Sequence, residues 1–119
     1  MNPAVINFTI EQGADWQLPL RWTGAGLPVD LTGYTALMQF RPAVDDPKVL
    51  LELSTANGRI LLGGQLGTIV PRLDAKTTRS LWWTEAVYGL RLIRSDGYVI
   101  AFAVGTAMVA REIAHEVLL

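Results

Sequence analysis

Cysteine is absent from the 119-residue chain, which excludes a disulfide framework, a thiol nucleophile and a thiolate metal site. Histidine occurs once, as His115, so there is no His-x-x-x-His metal pair. Charge is sparse: 18% of residues are charged, against about a quarter in an ordinary globular chain. The net charge of −1 gives no basic footprint for nucleic acid. The longest uncharged run, Gly97 to Ala110, falls short of the ~20 residues that a membrane helix needs, so no membrane partner is expected. "MNPAVINFTIEQ" lacks a basic region followed by an apolar one, and no signal peptide is expected. No serine sits in a Gly-x-Ser-x-Gly elbow, and neither "GAG" nor "GGQLG" has the context of a phosphate loop. No catalytic residue, cofactor site or metal site is expected.

Half of the residues are hydrophobic, enough for one well-filled core at this length. The surplus points either to an unusually rich core or to apolar surface kept for partners. Lysine is scarce, with Lys48 and Lys76 set against eight arginines. Interfaces favour Arg and avoid Lys, because a planar guanidinium stacks and forks where a hydrated ammonium does not. Genome composition produces the same bias, so the interface reading stands beside that one.

Apolar residues recur with period 2 along most of the chain, which is the strand signature. Trp16, Leu18, Leu20 and Trp22 share one face of "DWQLPLRW", and Pro19 marks that strand as an edge or a bulge. In "GLPVDLTGYTALMQFRP", Asp30 is placed for an Asx turn and Gly33 for a permissive backbone; Ala36, Met38 and Phe40 then share a face. Asn57-Gly58 predicts a hairpin pairing 49–54 with 59–62. Pro71 demotes "TIVPRL" toward an edge. "DAKTTRSL", with Asp74 as N-cap, is the one short helix and crosses between sheets. Asp96-Gly97 makes a tight reversal between two late strands, and Gly105 interrupts the second of them, with a bulge expected there.

The fold expected is all-β: an immunoglobulin-like or jelly-roll-like β-sandwich with one short helical crossover, in a single domain over residues 1–119. Trp16, Leu18, Leu20, Ala36, Met38, Phe40, Leu90, Leu92, Phe102 and Val104 are its expected core.

A few residues carry more than one reading. In Trp82-Trp83 neighbouring side chains of an extended segment point oppositely. They cover the core at a sheet corner, anchor a protein interface, or stack on a sugar ring. Tyr88 is either a generic core residue or the corner tyrosine of an immunoglobulin-like sandwich. "REIAHEVLL" carries Ile113, Val117, Leu118 and Leu119, so residues 113–119 form a candidate assembly tail. His115 is read as solvent-facing or interface packing.

Three stretches, "PVDLTGYTALMQFRP", "NGRILL…GTIVPRL" and "VYGLRLIRSDGYVIAFAVGTAMV", resemble small β-sandwich proteins of phage and prophage tail modules. Over roughly residues 5 to 112 the chain is similar to the N-terminal domain of phage baseplate upper proteins. The resemblance implies a non-enzymatic virion protein, a tail-tip or baseplate component assembled in the bacterial host cytoplasm. Its partners would be other phage virion proteins and further copies of itself. A capsid-decorating protein and a carbohydrate-binding module using Trp82 or Trp83 are the alternatives. The shortness of the chain favours a small adaptor or decorating subunit over one that holds receptor-binding proteins directly.

Overall fold

The computed structural model describes residues 2–114. Its elements are β1 (Ala4–Val5), β2 (Phe8–Glu11), β3 (Trp16–Gln17), β4 (Leu20–Arg21), β5 (Thr23–Gly24), β6 (Leu27–Pro28), β7 (Thr35–Arg41), β8 (Leu51–Ser54), β9 (Ile60–Leu62), β10 (Thr68–Leu73), α1 (Ala75–Arg79), β11 (Glu85–Ile93) and β12 (Val99–Ala110). They form an all-β sandwich. The larger sheet runs β1/β2–β12–β11–β7–β8, with β1 and β2 both parallel to β12 and the other pairs antiparallel. The smaller sheet places β10 between β9 and the broken strand β3/β4.

Period-2 patterning sets which side chains fill the space between the sheets. Met38, Phe40, Leu53, Leu90 and Leu92 of the large sheet are fully buried, as is Ile69 of the small one. Of the expected core, Ala36, Met38, Phe40, Leu90, Leu92 and Phe102 are buried. Trp16, Leu18 and Leu20 share the inner face as expected but are only half-buried, because β3/β4 is a short edge of the smaller sheet.

Val104 is a correction: it is 36% exposed. The register of β11 against β12 slips at Leu90/Arg91, so Leu90 pairs with Ala103 and Arg91 with Ala101. Phe102 is the extra residue, and a one-residue insertion reverses the facing of everything beyond it. Ala103, Ala107 and Val109 therefore point inward, and Val104 and Met108 outward. The bulge falls at Phe102 rather than Gly105. Gly105 has a different task, since any side chain there would overlap the Ile6 carbonyl, where the chain steps between β1 and β2.

Two further expectations are corrected. Asn57-Gly58 does turn the chain, but β8 and β9 do not pair; β8 joins β7 and β9 joins β10. The Asn57 side chain accepts from the N–H of Ser54 and of Arg59 and donates to the Glu52 carbonyl, closing the turn locally. The turn thus hands the chain from one sheet to the other. Pro71 lies on the central strand β10, not at an edge. Its carbonyl accepts from Leu18 N–H. Its missing donor faces the same side, opposite the break between β3 and β4 that Pro19 marks, so no regular ladder bond is lost.

The loop signals hold. Thr32 N–H donates to Asp30 at 2.9 Å, Gly33 has φ +82°, and Asp74 caps α1 by accepting from Thr77 N–H. After β4 the chain forms a small hairpin, β5–β6, with Ala25 and Gly26 both at positive φ. An alanine in that region costs roughly 1 kcal/mol, whereas Asn-Gly is the preferred pair there. Ala25→Asn is expected to stabilise the protein by about 0.5–1 kcal/mol in urea unfolding.

Tyr88 lies in β11, and its ring packs between Phe8 and Phe40, at 5.0 and 5.7 Å between centroids. Its hydroxyl donates to the Ile6 carbonyl, which the step between β1 and β2 leaves outside the ladder. Burial pushes the phenol up to about 12 from 10.0. The folded state therefore holds this proton more tightly than the unfolded chain. The resulting stability is complete below pH 10 and is lost as pH rises from 10 toward 12. Tyr88→Phe is expected to cost about 1–3 kcal/mol at neutral pH, by stranding the carbonyl. The gap between variant and parent should narrow over that alkaline window, as read from urea melts at stepped pH.

Candidate interaction surface

Three places on the described surface combine polar or aromatic groups with a concave or exposed setting. The first is a cleft of about 720 Å³ between the small sheet and α1, lined by Asp15, Asp74, Arg59 and Arg72 among others. Its charged groups are committed to local structure. Asp15 accepts from Ala75 N–H at 2.7 Å, and Arg59 donates to the Glu52 carbonyl at 3.2 Å. Hydrogen bonds from Thr77, first side chain and then backbone, hold the Asp74 carboxyl below its ordinary range. A carboxylate kept ionised as a helix cap is poorly placed for general acid work.

The second is the tryptophan pair. Extended geometry between α1 and β11 sends the two rings opposite ways. Trp83 is buried and packs 6.0 Å from Phe40, so it is core and drops out of any sugar platform. Trp82 is 65% exposed, with Lys48 Nζ 5.0 Å from its ring centroid. That ammonium occupies part of the π surface a sugar would need.

The third is a groove of about 630 Å³ on the outer face of the large sheet. Gly89 of β11 forms its floor, and a Cβ built there would meet nothing within 4 Å. Leu37, Val87, Val104 and Val44 form apolar walls, and Val44 is 80% exposed. Val5 lies beside Val104 in the parallel pairing and is 74% exposed, which continues the apolar strip to the sheet edge. Arg41 and Arg91 flank the groove. Arg41 is fixed by bonds to Gln39 Oε1 and the Asp46 carbonyl. The outer face of a solvated antiparallel sheet normally reads polar, so valines and leucine there mark a surface with another use.

Ile113 is 92% exposed. Just before it the chain is anchored at the α1 end of the sandwich. Arg79 forks onto the Glu112 carboxylate at 3.2 and 3.3 Å, and Glu112 N–H donates to Gln12 Oε1 at 3.1 Å. His115, Val117, Leu118 and Leu119 lie outside the described residues. Of the residues the sequence singled out, Trp82 and Ile113 are exposed and Trp83 is buried; the Gly89 groove was not among them. Its signal was present: Leu37 sits among the polar residues of β7, and Val87 and Ile93 stand in the outward phase of β11. The phase flip at Phe102, which turns Val104 outward, had no such signal.

No protein-family model matches the chain, and no curated protein sequence does.

Proposed function

We propose that this protein is a non-enzymatic phage virion structural protein, a tail-tip or baseplate component that assembles in repeated copies with other virion proteins. The observation that carries the assembly role is the apolar, Gly89-floored outer face with its two flanking arginines. A grooved apolar face with Arg and no Lys has the composition of a buried interface rather than a solvated sheet. The sheet edges fit assembly through faces rather than edges. β3/β4 is interrupted at Pro19, β1/β2 is broken at Ile6–Asn7, and the Glu52 carbonyl of β8 is taken by Asn57 and Arg59. Such edges resist strand-to-strand addition.

The strand order supports the immunoglobulin-like form over the jelly roll. Strands β12–β11–β7–β8 face β3/β4–β10–β9, the grouping of an immunoglobulin sandwich with its first strand moved beside its last. The phage context rests on the resemblance of the turn and hairpin stretches described above. Particles purified from cells that encode the protein, analysed by mass spectrometry, test it. The protein is expected at a fixed ratio to the other virion proteins, and its absence from intact particles overturns the reading. A capsid location is separated from a tail location by analysing isolated tails. Trp82 alone keeps the carbohydrate alternative open to test. Titration with oligosaccharides is expected to leave tryptophan fluorescence unchanged, and saturable quenching would favour that alternative.

A further inference from the structure

We infer that the Gly89 groove receives the segment 113–119 of a second copy, joining copies head to tail. This rests on the assembly reading above and names the surface that performs it. In extended form, Ile113, Val117 and Leu119 share one side of "IAHEVLL", so a single strand presents three aliphatic groups to one groove. The groove walls offer Leu37, Val87 and Val104 in return.

Reach decides between the chain's own groove and a neighbour's. The Arg79 and Gln12 contacts hold Glu112 at the α1 end. From there back to Val104 is a path of about 26 Å along β12, at roughly 3.3 Å per residue. Fully extended, the chain from Glu112 to Val117 covers at most about 18 Å, and to Leu119 about 25 Å. Val117 therefore cannot lie over the floor of its own groove, and Leu119 barely arrives. A neighbouring copy has no such limit. The contact uses two different surfaces, so it is heterologous and propagates as a ring or an open chain.

Two full-length variants test this by sedimentation velocity. Gly89→Arg places a long side chain in the groove, from a position where its Cβ meets nothing within 4 Å. Val117→Asp with Leu119→Asp spoils the segment and leaves the groove intact. Each alone is expected to keep the parent's melting temperature and to associate at least tenfold more weakly. Mixed in equal amounts, they retain one good segment and one good groove, so they form a one-to-one dimer that grows no further. If Gly89→Arg lowers the melting temperature, Val44→Asp takes its place, at a groove wall that is 80% exposed, and is expected to weaken association alone and to dimerise when mixed with the segment variant. A parent that stays monomeric, a segment variant that associates like the parent, or a mixture that fails to dimerise overturns the inference. The outcome is independent of the particle experiment. Particles lacking the protein refute the virion role but not this junction, and a strict monomer refutes the junction but not the virion role.

Discussion

Phe40→Ala lowers the stability of the protein by about 3–5 kcal/mol, the largest loss expected of a single core truncation. Phe40 is fully buried near the C-terminal end of β7. Its ring meets Tyr88 at 5.7 Å, Trp83 at 6.0 Å and Phe8 edge-on at 6.2 Å between centroids. It thereby joins three separate parts of the chain: the N-terminal strand, the segment after α1, and β11. Removing it opens a cavity that rigid neighbours on adjoining strands cannot collapse into, and it also forfeits the aromatic contacts. A domain of this size has about 5–15 kcal/mol in all, so the variant sits near the unfolding threshold. Urea unfolding measures the effect. A loss below about 1 kcal/mol would mean that the aromatic cluster is not the joint of the sandwich.

Gly105→Ala is the second large effect, and Gly89→Ala is its internal control. Both glycines lie on paired strands, opposite each other in adjacent register rows: Tyr88 pairs with Gly105, and Gly89 with Val104. By propensity alone, replacing a strand glycine with alanine stabilises by roughly 0.5–1 kcal/mol. At Gly89 nothing stands within 4 Å, and that gain is expected in full. At Gly105 the added carbon overlaps the Ile6 carbonyl and crowds the Asn7 side chain, which accepts from Thr106 N–H at 2.8 Å. The obstacle is backbone, so relief requires lifting the β1/β2 step away from β12. That also breaks the Tyr88 bond to Ile6. A cost on the order of 3 kcal/mol follows, together with faster amide exchange at Ile6, whose N–H donates to the Val104 carbonyl at 2.9 Å. Equal effects at the two positions would contradict this account of Gly105.

Patterning made the large sheet legible in advance, because Ala36, Met38 and Phe40 alternate cleanly and Leu90 and Leu92 answer them from the neighbouring strand. Local turn chemistry was equally plain at Asp30, Asp74 and Gly97, each of which is satisfied within a few residues. Partnering was not legible. Asn57-Gly58 announces a reversal, but whether its flanks pair with each other depends on distant strands β7 and β10. Pro71 looked like an edge residue because its missing donor is harmless only opposite the gap at Pro19, a coincidence of two prolines from separate strands. The groove was half-legible. Leu37 out of phase in β7 is visible in the sequence, whereas Val104 faces outward only because Phe102 is bulged. No rule of alternation locates a bulge in a run as uniformly apolar as "VIAFAV".

The central claim is that this sandwich associates with copies of itself through the Gly89 groove, and the solution mass of the unmodified protein tests it most directly. Light scattering over a concentration series from micromolar to millimolar should give a mass that starts at the 13.0 kDa of one chain and climbs continuously with concentration. A heterologous junction adds copies one at a time, so growth without a single plateau at two copies is the expected form. A mass that remains at 13.0 kDa across the series contradicts the claim.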